Sequence, residues 1–484
     1  MRGKISLAHY KSELIAKGEK LSPNDFAARV AESENGVPQL LQGVRQLKKG
    51  AALPDHYPPR MQVTPSGRAL VGFREHDWIE DKVTNHWEQL AADLKTNEQT
   101  LIEIRAALAK PVLNSQLDYL LGMKIPVTNL TSAKALTQWF GAASQLALHE
   151  GRNHEALEFL LPHIRLPRLL QEDHIAISEL VRDAVAAIAK TATWEALQAD
   201  GWTDEDLTRM QEAWTTQDFC ESMTHGLEGE VVFGDTSFEL LRKSNGETVH
   251  AFYWMEEYAP VEDSDRPFWE RTLRAIPYGD VTANFLKQQI YCRIWCFAWL
   301  DQDEVFYVER THLLLQINRT ATAGKSFAET RPAIDRFEAE SLNRNLYDRL
   351  RYPNPQSLIS LSKVVNKAMR AETERSLAIC AIALKRYGLR HRESPASLAA
   401  LVPEFVPSVP IDYMDGKPMK YHLNPDGSFT LYSVGEDVKD DGGDASPLPG
   451  NESSRVLWHR KDFVWPSPAL PEEVEAWRKE AAKN

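Results

Sequence analysis

The chain has 484 residues, with 56 Lys and Arg against 69 Asp and Glu, giving a net charge of −13. At roughly 150 residues per domain that length suggests about three units. An apolar share of 43% with 44 aromatics excludes a disordered chain. The acidic balance excludes broad electrostatic nucleic-acid binding, which needs Lys and Arg to displace phosphate counterions. No apolar run approaches the roughly 18 residues that a membrane-spanning helix requires.

In chain order, residues 4–18 read as a helix stopped by Gly18, and Pro54 to Pro65 read as an extended, proline-rich linker. From Asp77 to Lys110 the apolar spacing is helical (Trp87, Leu90, Leu94, Leu101, Ile104). Leu136, Phe140, Ala143 and Ala147 form a second stripe that ends near Gly151, and a partner helix carrying Ala156, Leu157 and Leu160 begins at once. That turn resembles a tetratricopeptide-type helical hairpin, without a continuing 34-residue period. A helix is expected from Ile175 to about Leu197, and Thr203 with Asp206 signals the N-cap of the next.

Gly226, Gly229, Gly234, Asn245 and Gly246 punctuate β-prone pieces at 231–233 and 249–254, so a small hairpin or an irregular insertion is expected there. Residues 251–307 hold 14 of the 44 aromatics, which points to core packing or, alternatively, an aromatic-lined groove. The stretch from Phe285 to Leu300 is apolar on most faces and is expected to be buried between helices. A long helix is expected over 361–389, with Lys385, Arg386, Arg390 and Arg392 as a solvated cationic cap. Residues 419–423 and 428–433 alternate as strands around the turn Asn424-Pro425-Asp426-Gly427.

Cys220, Cys292, Cys296 and Cys380 show no C-x-x-C spacing. Cys292 and Cys296 share a helix face and read as buried small hydrophobes. His149 and His154 are five apart with Gly151 between them, which does not make a zinc-protease helix. Gly324-Lys325-Ser326 lacks the upstream glycine of a phosphate loop. His163 and His312 lie in apolar helical contexts and read as packing residues. The best candidate for chemistry is the loop 436–444, with five acids and one Lys. Asp437, Asp440, Asp441 and Asp444, with an oxygen from Ser433 or Leu431, are candidate Ca²⁺ ligands, and Gly442 and Gly443 would let the backbone curl. A solvated acidic turn is the alternative.

Three further strings stand out: Pro395 to Leu398 (PASL), Asp412 to Tyr421 (DYMDGKPMKY) and Leu431 to Asp437 (LYSVGED), the last leading into the acidic loop. Over residues 373–446 they resemble the globular part of the major pseudopilin of type II secretion. That resemblance implies a small α+β module and calcium in the equivalent loop. The pseudopilin's N-terminal peptidase site and apolar helix have no counterpart, so filament assembly is not implied. The whole chain also resembles large envelope proteins of the Verrucomicrobia–Planctomycetes type, on YKSELIAKGEK (10–20), WEALQADGWTD (194–204) and KDFVWP (461–466). This implies a periplasmic location with a membrane span upstream of Met1, the alternative being a cytoplasmic protein.

The expected fold is mainly α, an irregular helical-hairpin or solenoid-like body, with a small C-terminal α+β module containing an antiparallel hairpin. The expected divisions are 1–75 (helix and linker), 76–225 (helical-hairpin body), 226–360 (aromatic-rich helical region with a short β insertion), 361–470 (pseudopilin-like module) and 471–484 (polar helix or tail). The expected function is non-catalytic binding or scaffolding for a protein partner in the envelope, with no nucleic acid and no membrane contact beyond the upstream span. The alternative is a hydrolase on glycan or peptide, working through Trp254, Trp269 and Tyr278 with Glu256, Glu257 and Asp280.

Overall fold

The computed structural model describes residues 2–243 other than 27–29, 60 and 81–82, then 282, 285 and 286, and residues 290–482 other than 354. Helices dominate, as the apolar spacing indicates. In order they are α1 (Arg2–Ala16), α2 (Val37–Gln46), α3 (Trp87–Leu108), α4 (Thr128–His149), α5 (Asn153–Arg165), α6 (Ala176–Leu197), α7 (Asp204–Thr215) and α8 (Cys220–Lys243). They continue as α9 (Cys292–Ala298), α10 (Leu300–Gly324), α11 (Phe327–Leu342), α12 (Leu346–Arg351), α13 (Pro355–His391) and α14 (Pro471–Ala481). None of the described helices is long and apolar enough to cross a membrane.

The α4–α5 hairpin closes where Gly151 takes a left-handed φ of +72°. The Arg152 N–H then reaches back to the Ala147 carbonyl at 2.8 Å and the Gly151 N–H to Leu148 at 3.1 Å, which satisfies the last free carbonyls of α4. Ala156 is fully buried and lets the two helices approach. α7 starts on a capping box in which Thr203 and Asp206 serve each other's backbone.

Four expectations are corrected. First, Trp78–Glu80 and Val83–Asn85 form a tight antiparallel pair, so α3 begins only at Trp87; buried Trp78 packs edge-on against Trp87 at 6.1 Å. Second, residues 231–233 are not β. They lie inside α8, whose glycines are contact points: a Cβ on Gly229 would overlap the His174 carbonyl, and one on Gly234 would overlap the Tyr307 ring. The expected strand at 249–254 lies outside the described residues. Third, Phe285, Ile294 and Phe297 are exposed, so the apolar stretch around α9 is only half buried, on Cys292 and Trp295. Fourth, of the cations at the end of α13, Arg390 and Arg392 are exposed as expected, but Lys385 and Arg386 are half-buried intramolecular ties. Lys385 Nζ donates to the carbonyls of Leu197 and Ala199 at 2.5 and 2.9 Å, and Arg386 Nε donates to Asp204 Oδ1 at 2.7 Å.

α13 is the spine. It spans 37 residues and packs on α6, α7, α8, α10 and α11 and on the C-terminal strands. Its face bearing Val364, Val365, Ala368, Leu377, Ala378, Ala381 and Ile382 is buried throughout. In the strand region, β1 (Arg68–Ala69), β2 (Trp78–Glu80) and β3 (Val83–Asn85) precede β4 (Ile411–Asp412), β5 (Lys417–Pro418), β6 (Lys420–Leu423), β7 (Phe429–Ser433), β8 (Phe463–Val464) and β9 (Ser467–Pro468). β6 and β7 pair antiparallel about the expected turn, and β8 adds to the other edge of β7.

The proline-rich stretch, expected as an extended linker, turns at residues 53–55 and is packed, with Leu53 and Tyr57 in the main core. Beyond it, β1 pairs parallel with β9, and Trp194 Nε1 donates to the Pro466 carbonyl at 2.9 Å. One apolar core runs from Val37 to Trp465.

Candidate functional site

The acidic loop uses its carboxylates one at a time. Asp437 Oδ1 accepts from the Lys439 N–H at 3.1 Å, and Asp440 Oδ1 from Tyr432 OH and the Gly442 N–H at 2.9 and 3.1 Å. Asp444 pairs with Lys461 Nζ at 2.7 Å, which holds its carboxyl below the usual range. Ser433 lies apart and buried, its Oγ donating to Asp412 Oδ1 at 2.9 Å to lock β4 onto β7.

The loop is organised by Asp462, a residue that the sequence reading quoted but did not assign. Its fully buried carboxylate accepts from the Gly443 and Asp444 N–H groups at 2.8 and 3.1 Å, with the Asp441 N–H at 3.4 Å. Gly443 is required there: its φ is +84°, and a Cβ would crowd Thr430. The loop therefore turns backbone N–H groups inward, where a calcium cage needs oxygens. As folded, Ser433, Asp437, Asp440, Asp441 and Asp444 are not gathered into one set. Among the described residues no group of three or more His, Cys, Asp or Glu side chains could hold a metal ion.

A different arrangement lies between α6 and α13. Asp183 and Lys190 of α6 face Lys367, Arg370 and Glu374 of α13 across a recess of ≈ 220 Å³. The helical spacing accounts for this: three-, four- and seven-residue steps put these side chains on one stripe of each helix. Ala184, Ala187 and Ala371 are too small to fill the gap, Trp214 of α7 forms its floor, and Trp458 of the C-terminal module closes one end.

That end is tightly tied. Lys190 Nζ lies 3.0 Å from Glu374 Oε2, and Trp458 Nε1 donates to Glu374 Oε1 at 2.7 Å. The Arg370 guanidinium stacks 5.1 Å above the Trp458 ring and pairs with Glu436. Farther along, Arg375 Nε donates to Glu372 Oε2 at 2.7 Å, and Glu372 Oε1 accepts from the Phe219 N–H at 2.6 Å.

Asp183 is the exception. It is 8% exposed, and neither carboxylate oxygen has a hydrogen-bond partner in the chain. Burial pushes its carboxyl well above the usual range; Glu179 and Glu372 add to this, and Arg182 and Lys367 oppose it. Arg370 Nε is likewise buried without a partner. Lys367 is exposed and forms no ion pair among the described residues. Unsatisfied buried polar groups are rare because each costs about 1–3 kcal/mol. Asp183 and Arg370 lie on one recess of ≈ 220 Å³, large enough for a small molecule, and this combination marks it as the candidate site. The sequence reading missed these residues. The available signal was the charge that Arg182-Asp183 and Lys190 place on the otherwise alanine-rich buried face of α6.

A second, smaller cavity of ≈ 30 Å³ lies under Tyr57, Pro58 and Pro59. Ser144, Gln145, His163 and Glu195 each present an unpartnered polar atom on its wall. His163 Nε2 lies 2.6 Å from Thr137 Oγ1, and burial lowers the ring to about 3, so it is neutral. Burial raises Glu195 to about 8, so it carries its proton at neutral pH; its other oxygen accepts from the Gly72 N–H at 3.1 Å. The space matches about two water molecules.

His149 and His154 are not paired. His149 Nδ1 lies 2.6 Å from the Phe73 carbonyl and its ring stacks on Trp87, while His154 is exposed. None of the four cysteines is in a disulfide, and Cys296 is only partly buried. Trp254, Glu256, Glu257, Trp269, Tyr278 and Asp280 lie outside the described residues. No family model, curated protein or solved structure matches the chain.

Proposed function

We propose that the protein is a non-catalytic binding protein whose site is the α6–α13 recess and whose ligand is a small molecule. The observation that carries this is the Asp183 carboxyl, buried and without a partner on a cavity with cationic walls. A group left in that state costs stability, and a ligand that satisfies it recovers the cost on binding. The recess is bounded by body helices and by Trp458, so docking of the C-terminal module completes it. An envelope location is part of the proposal, supported by the pseudopilin-like and envelope-protein-like strings in the sequence.

The test is a fragment screen by thermal denaturation on the full chain and on Ala187→Phe, which fills the recess. Compounds that raise the melting temperature of the parent but not of the filled variant support the site. Equal responses, or none, remove it. Ala371→Leu, a smaller filling, repeats the comparison if the first variant does not fold.

A further inference from the structure

The geometry points to a zwitterion as the ligand of this recess: an α-amino acid with an apolar side chain, its ammonium on Asp183 and its carboxylate on Arg370 Nε and Lys367. This rests on the recess being a ligand site, as proposed above, and adds the chemical class.

The unmet groups define the class. Neither Asp183 oxygen has a partner, whereas Arg370 Nε and Lys367 are free donors. A simple anion would satisfy the cations but leave an Asp183 acceptor oxygen unmet. A simple amine would satisfy Asp183 but leave the Arg370 N–H buried and unpaired. A ligand with both charges meets both needs, and charge-assisted hydrogen bonds are the stronger kind. Between the polar groups the wall is apolar, formed by Leu180, Ala184, Ala187 and Ala371 with the Trp214 and Trp458 rings. The Lys190–Glu374 pair closes the recess about two helical turns from Asp183, about 10 Å along α6.

A proton is linked to this binding. Asp183 is faced by Glu179 and Arg182 on its own helix and by Lys367 and Glu372 on α13, and burial pushes its carboxyl well above the usual range. An arriving ammonium favours the carboxylate, so binding strengthens as pH rises.

The test is calorimetric titration of the full chain with three probes: L-leucine, 4-methylpentanoate (the same skeleton without the ammonium) and 3-methylbutylamine (without the carboxylate). L-leucine is expected to bind about tenfold or more tighter than either analogue, with an affinity that rises with pH. Asp183→Asn is expected to weaken L-leucine about tenfold and to leave 4-methylpentanoate unchanged. If that variant does not fold, Arg370→Gln makes the converse test, weakening L-leucine but not 3-methylbutylamine. An analogue that binds as tightly as L-leucine, or a library compound that binds where all three probes fail, overturns the zwitterion and leaves the site standing. If no compound of any class responds to filling of the recess, the site itself falls.

Discussion

The α6–α13 recess and the acidic loop are both rich in charged side chains, and they behave in opposite ways. The loop is conspicuous in sequence, five acids in nine residues, yet four of its carboxylates serve as turn caps and ion-pair partners around Asp462. The recess is inconspicuous in sequence, its residues scattered from 183 to 458, yet it holds an unpartnered buried carboxyl and an unpartnered guanidinium N–H. Local charge density is cheap at a surface, where water and neighbouring N–H groups absorb it. A buried group without a partner costs free energy and is the better marker of a site.

The largest effect that would break this contrast is expected from Trp458→Ala. The ring is buried, holds Glu374 through Nε1 and lies under Arg370. Its loss should lower stability by about 3–5 kcal/mol in guanidinium denaturation and open the recess. A loss below about 1 kcal/mol would mean that the module does not close the site.

Asp183→Leu comes next, and in the opposite direction. Removing an unsatisfied buried carboxyl should raise stability by about 1–3 kcal/mol. The sign with pH follows from the raised carboxyl: the folded chain keeps a proton that the unfolded chain releases above its ordinary 3.8. The stability linked to this group is therefore complete below about 4 and falls as the pH climbs towards the folded value. Asp183→Leu should flatten that decline, and the gain should be larger at pH 8 than at pH 5. A destabilised Asp183→Leu at both pH values would show that the carboxyl is satisfied after all.

The smallest effect is expected at the loop. Titration of Ca²⁺ against EGTA should move the melting temperature by no more than about 1 °C, because four of the five carboxylates already have partners, and a surface ion pair such as Asp444–Lys461 is worth at most about 1 kcal/mol. A shift of several degrees would show that the loop rearranges around the ion, and the contrast between the two regions would then narrow.

Much of the architecture was legible in the chain. The stripes of α4 and α5, the stop at Gly151, the Thr203 cap and the Asn424–Gly427 turn depend on nearest-neighbour sterics and on helical and strand periods, which operate over a few residues. The run 220–243 misled because glycine has two uses. Gly226, Gly229 and Gly234 look like turn punctuation, but they allow Glu179, His174 and Tyr307 to approach the helix, and those neighbours are distant in sequence.

The site shows the same division. That α6 buries charge could be inferred from Asp183 and Lys190 within an alanine-rich stripe; that one is paired and the other is not could not. Sequence alone determined the helical body, the small β hairpin and the boundaries at Gly151 and Thr203, because these follow from local propensity and capping. Tertiary structure alone decided that Lys190 meets Glu374, that Trp458 closes the gap and that Asp183 is left without a partner. Whether a charge is satisfied depends on which remote groups the packed helices bring within about 3 Å, and no local rule sets that.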